Sequence, residues 1–194
     1  MHSDVELEAR KLAEGVIFLA AFALTIPAAN WMIGNAGTVC TGPGGSGPCL
    51  IPVAPGIMAP SGVLMIGMAL VLRDLVQRRL GVVYSVAAIF IGAAISSWLA
   101  PAALVLASGT AFLISEMTDL AVYTPLARRR LVLAVLASGL IGLVIDSMIF
   151  LWLAFGSLEF LPGQIIGKSW MVLLSLPLIV YLRRRDERLK MTPA

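Results

Sequence analysis

Apolar residues fill this chain in long runs, and its charged residues stand in short blocks between them. A bilayer core needs about 20 apolar residues per helix and offers no partner to backbone polar groups, so such runs fold as helices. The pattern predicts an all-α membrane protein with six transmembrane helices in one domain over residues 1–194. They span about 15–33, 60–72, 82–99, 102–122, 131–155 and 164–182. Pro27 removes a backbone donor from the first helix and should kink it. Ala88, Gly92 and Ser96 repeat every four residues in the third, a stripe that permits close helix packing. In the fifth, Ala134, Ser138, Gly142 and Asp146 share one face, which sets Asp146 on the inward side.

Between the first two helices lies an uncharged segment, Gly34 to Ala59, dense in Gly and Pro. That composition disfavours regular structure. Cys40 and Cys49 flank its Gly-Pro run, and a disulfide between them is open if this loop faces an oxidising compartment. Leu50 to Ala59 is apolar enough to dip into the membrane beside the short second helix. Interrupted segments of this kind form transporter sites; a merely bent helix gives the same pattern. Arg73, Asp74, Arg78 and Arg79 are expected to form a charged turn ending at Gly81, and Pro101 another tight turn.

Composition agrees with the pattern. The 194 residues are 59% hydrophobic and 13% charged, with a mean hydropathy of +0.95; a soluble domain carries about 25% charged residues. The net charge of +3 reflects arginines placed between apolar runs, which points to membrane topology and away from nucleic acid. Of the fourteen Lys and Arg, all but Lys168 fall on one side of a six-helix layout. The positive-inside rule then puts both termini in the cytoplasm of a bacterial inner membrane and the cysteine loop outside. The first apolar run is too long for a signal-peptide core of about 7–15 residues, so no cleavable signal is expected.

Carboxylates at membrane depth are costly and mark function by default. Counting 1.5 Å per residue, Glu116 lies roughly 9 Å from the cytoplasmic end of the fourth helix and Asp119 roughly 5 Å. Asp146 is roughly 22 Å up the fifth helix, and Lys168 roughly 6 Å into the sixth from outside, a similar level. Asp146 and Lys168 are therefore expected to form an ion pair or bracket one ligand, unless Lys168 snorkels to the outer surface. Asp119 is open to pairing with the nearby arginines, and Asn30 either to helix packing or to ligand contact.

These groups suit binding better than bond-breaking. The lone His2 lies outside the apolar runs, so no Ser-His or Cys-His pair can be assembled. The cysteine spacing is not a zinc pattern, and the loop lacks the Lys-Ser/Thr ending of a phosphate loop. No cofactor or metal is expected. The inventory describes a small-molecule carrier in the lipid bilayer, with no enzymatic activity.

The chain resembles the vitamin uptake transporter (VUT), or queuosine-precursor transporter, family. The likeness rests on Ala28-Ala29-Asn30-Trp31, on Asp74-Leu75 with Arg78 and Gly81, and on Glu116-Met117-Thr118-Asp119, which is similar to a Gln/Glu-x-x-Asp pattern. Gly142 with Asp146, Phe150, Ala154-Phe155 and Lys168 complete it. The resemblance implies uptake of a 7-cyano- or 7-aminomethyl-7-deazaguanine by alternating access, and a fold like the substrate-binding subunits of energy-coupling-factor transporters. It also implies a homodimer. By the family pattern Glu116 accepts the paired N–H groups of the base, with Asn30, Asp146 and Lys168 contacting the remainder and Asp119 beside them. The alternative is a membrane-embedded binding subunit for another purine-like base or a vitamin, which needs a partner for transport.

Overall fold

The computed structural model describes residues 2–41, 44, 47–99, 104–189 and 191, with side chains from Glu6 onward. The turn expected at Pro101 and the middle of the Gly-Pro run lie outside the described residues. The described residues form six helices: α1 (His2–Asn35), α2 (Val63–Leu80), α3 (Val82–Leu99), α4 (Val105–Ala127), α5 (Leu131–Phe155) and α6 (Leu161–Leu189). All but α2 are long and apolar enough to cross a membrane. Large apolar side chains such as Trp98, Leu106, Trp152 and Leu174 stand exposed along them, as lipid-facing residues do.

α2 departs most from expectation. It does not end near Leu72; it continues as helix through Arg73, Asp74, Arg78 and Arg79 and stops at Gly81, whose φ of 91° favours glycine. The expected charged turn is thus half a helix, and all four charged residues are buried. The reason is packing. α2 touches all five other helices, so its surroundings are protein rather than lipid, and its polar groups find partners there. Hydropathy reports exposure to lipid, and α2 has little. Arg73 consequently does not act as a loop cation in the topology count.

The first loop also differs. Instead of lacking regular structure it forms a three-stranded antiparallel sheet of β1 (Val39–Cys40), β2 (Cys49–Ala54) and β3 (Ile57–Pro60), in that order. β2 and β3 are joined through Pro55-Gly56, with Gly56 at a φ of 72°, a residue type and backbone angle suited to tight hairpin turns. Cys40 and Cys49 face each other across β1 and β2 and are disulfide-bonded. The sheet packs on α1 and α6. Trp170 Nε1 donates to the Val53 carbonyl at 3.0 Å, and Ser61 Oγ to the Met32 carbonyl at 2.7 Å. Leu50–Ala59 is therefore a hairpin packed against the bundle.

α4 and α5 make the most extensive helix pair and are joined by the exposed turn Arg128–Arg130. The bundle so has a sheet end and an arginine end. At the arginine end Asp186 of α6 accepts from Arg78 at 2.7 and 3.0 Å and from Arg79 at 2.8 and 2.9 Å. Glu14 of α1 accepts from Arg79 at 2.8 Å and from Arg185 at 2.6 Å. These bonds tie α1, α2 and α6 together. One apolar core lies between α2, α5 and α6 around Leu75, Val135 and Ile179, and a second between α1, α3 and α4 around Phe22, Ile89 and Phe112.

Candidate functional site

A pocket opens among the helix ends near the sheet. Apolar walls come from Ile26, Ile33, Val63, Phe112 and Phe150; the polar lining is Asn30, Ser96, Ser108, Asp146, Gln164 and Lys168. Close approach of the chain is needed to build it. A Cβ on Gly167 would meet the Val63 side chain and, at 3.1 Å, that of Val53, and one on Gly92 would meet the Phe112 ring at 2.9 Å.

Lys168 organises the floor. It is 1% exposed, which removes the snorkelling alternative. Its ammonium donates to Asp146 Oδ2 at 2.5 Å, Ser147 Oγ at 2.8 Å and Gln164 Oε1 at 2.7 Å. An ammonium has three donors, and all are used before any ligand arrives. Asp146 Oδ1 is left with a long 3.4 Å bond from Ser115 Oγ, so it is the freer acceptor. Gln164 Oε1 is turned to Lys168, which leaves its amide N–H groups to donate. Asn30 Nδ2 donates to the Ile26 carbonyl at 3.0 Å, which leaves Asn30 Oδ1 as a second acceptor.

Glu116 and Asp119, the other two carboxylates named as candidates, are not among the residues that line this pocket. Both are held by Arg73, from the helix expected to have ended before it. Arg73 Nε donates to Glu116 Oε2 at 3.0 Å, Nη2 stands 2.5 Å from Asp119 Oδ1, and Nη1 stands 3.0 Å from Asp74 Oδ1. Nη1 also reaches Gln77 Oε1 at 3.5 Å, and the guanidinium carbon lies 5.8 Å from the Tyr123 ring centre. Ser138 Oγ donates to Asp74 Oδ2 at 3.3 Å. Asp119 therefore pairs with Arg73, not with the exposed arginines that follow α4.

The cluster separates two cavities. The sheet-end pocket reaches Asp146, whose Oδ1 accepts the long bond from Ser115, the residue beside Glu116. At the other end a second cavity is lined by Gln77, Arg78, Tyr123, Thr124 and Arg128. Among the described residues no three His, Cys, Asp or Glu side chains come together as a metal site.

Sequence reasoning missed Arg73 and Gln164. Gln164 and Lys168 are four apart on one helical face, a readable signal. The spacing of Arg73 and Gln77 is the same signal, masked by the density of charge around it.

The apolar helices define a multi-pass membrane protein. Residues 96–182 match the family model described as "putative vitamin uptake transporter", which supports the family read from the sequence over α4, α5 and most of α6. No curated protein and no solved structure matches the chain.

Proposed function

We propose that this protein is an inner-membrane carrier that imports a queuosine precursor, 7-cyano- or 7-aminomethyl-7-deazaguanine, by alternating access, as a homodimer. The observation that carries the reading is the sheet-end pocket: an aromatic-walled cleft in a membrane bundle, with Asp146, Asn30, Gln164 and Lys168 converging on it. A guanine-like edge presents an N–H and an amino group side by side. A carboxylate accepts both in charge-assisted bonds, and Asp146, rather than Glu116, is the carboxylate at the pocket. Asn30 Oδ1 offers a further acceptor and the Gln164 amide a donor for the ring carbonyl. Phe112 and Phe150 supply flat apolar surface for the heterocycle. In this reading the sheet end faces outside, and the arginine end, closed by the Asp186 and Glu14 ion pairs, faces the cytoplasm.

The test is uptake of radiolabelled deazaguanine bases by proteoliposomes holding only the full chain. Accumulation that disappears in Asp146→Asn is expected. Binding without uptake would turn the reading into that of a subunit needing a partner, and neither binding nor uptake would overturn it.

A further inference from the structure

Four ionisable side chains meet at Arg73, and their formal charges do not cancel. One guanidinium faces three carboxylates, Asp74, Glu116 and Asp119, so two negative charges are left over. None of the four side chains is more than 2% exposed. None of the neighbouring cations bonds to the three acids: Arg128 is exposed at its turn, and Arg78, Arg79 and Arg185 share two other acids. Arg78 and Arg79 of α2 are bonded to Asp186 of α6, and Glu14 of α1 holds Arg79 and Arg185. Lys168 of α6 is paired with Asp146 of α5. α3 carries no charge, and the other polar neighbours, Gln77, Tyr123 and Ser138, are neutral. Two uncompensated charges this far from water are not tolerated in a protein interior, where buried charge is paired or neutralised.

A second observation is made in the same cluster. Asp119 Oδ2 and the Tyr123 hydroxyl are fully buried and have no hydrogen-bond partner, and the Tyr123 ring lies beside the Arg73 guanidinium. The acids do not converge as a metal site does. The ligand that fits between them is the smallest cation, which needs no coordination shell. The cluster adjoins both cavities: Tyr123 and Gln77, which border Arg73, line the arginine-end cavity, and Ser115, next to Glu116, lies 3.4 Å from Asp146 at the pocket.

We propose that the Arg73 cluster is a proton-binding site, holding two protons among Asp74, Glu116 and Asp119 and exchanging them with the cavities on either side. The inference stands apart from the identity of any transported substrate, because its test needs none. The protonated carboxylic-acid carbonyl stretch is measured by infrared spectroscopy on the full chain in lipid, in water and in heavy water at neutral pH. The expected signal amounts to two carboxyl groups per chain and shifts in heavy water. Each of Asp74→Asn, Glu116→Gln and Asp119→Asn lowers it from two to one, and Arg73→Met raises it to three. Glu159→Gln, in an exposed loop, leaves it unchanged. Absence of the signal in the unaltered protein overturns the proposal whether or not the variants fold. So does a signal that none of the three substitutions lowers, or one that sodium ions abolish, since an alkali cation would then be the countercharge.

Discussion

Replacing Lys168 with methionine removes three bonds at one atom while nearly keeping the side-chain length. Asp146 Oδ2, Ser147 Oγ and Gln164 Oε1 lose their shared donor, and Asp146 keeps only the 3.4 Å bond from Ser115. Breaking a buried ion pair by removing one partner costs about 3–5 kcal/mol, because a charge is left buried and unpaired. Asp146 borders the open pocket and is 8% exposed, so water offsets part of this and the low end, about 3 kcal/mol, applies. At roughly 2–4 °C per kcal/mol for a chain of this size, Tm should fall by about 6–12 °C in detergent. The double variant Lys168→Met/Asp146→Leu removes both charges together. Swapping a buried pair for apolar groups is often neutral, so the double variant should recover most of the loss. A thermal melt of the unaltered protein, these two variants and Asp146→Leu completes the cycle and isolates the pair's coupling. A fall below about 3 °C for Lys168→Met, or a double variant no more stable than the single, would show that Asp146 does not depend on Lys168 for its charge.

Asp186→Asn weakens four bonds to Arg78 and Arg79; it should cost about 3 kcal/mol and let trypsin cut the end of α6 several-fold faster. Cys40→Ser opens a bridge with a sequence separation of nine, for which loop entropy predicts a loss of about 2–3 kcal/mol. A reductant should lower the Tm of the unaltered protein by a similar amount and leave that of the variant unchanged. Gly163→Ala drives a Cβ into the Met58 carbonyl, pushing α6 from β3, with a melting loss matching about 1–3 kcal/mol of overpacking.

The membrane class was legible because lipid-facing helices must be apolar along their length, as in α3 and α5. The level of Asp146 and Lys168 followed from helix rise alone, and the structure has them bonded. α2 was not legible for the opposite reason. A helix enclosed by five others may carry charge, and its partners Glu116, Asp119 and Asp186 lie far along the chain, where no local pattern connects them. Glu116 looked unpaired for the same reason, since nothing in its own helix supplies a cation. The sheet was hidden by composition: the Gly-Pro run suggests irregularity, while the Pro55-Gly56 turn between two apolar stretches is a hairpin signal.

In the proposed function the sheet-end pocket binds a deazaguanine through Asp146. The most direct measurement is thermal stabilisation of the detergent-purified chain by both deazaguanine precursors, guanine, queuine, biotin and riboflavin. A bound ligand raises stability by RT ln(1 + [L]/Kd). A rise in Tm with a deazaguanine is expected, lost in Asp146→Asn; losing a charge-assisted bond worth about 1.5–3 kcal/mol weakens binding roughly 10- to 150-fold. No rise with either precursor, or an equal rise in Asp146→Asn, would contradict it.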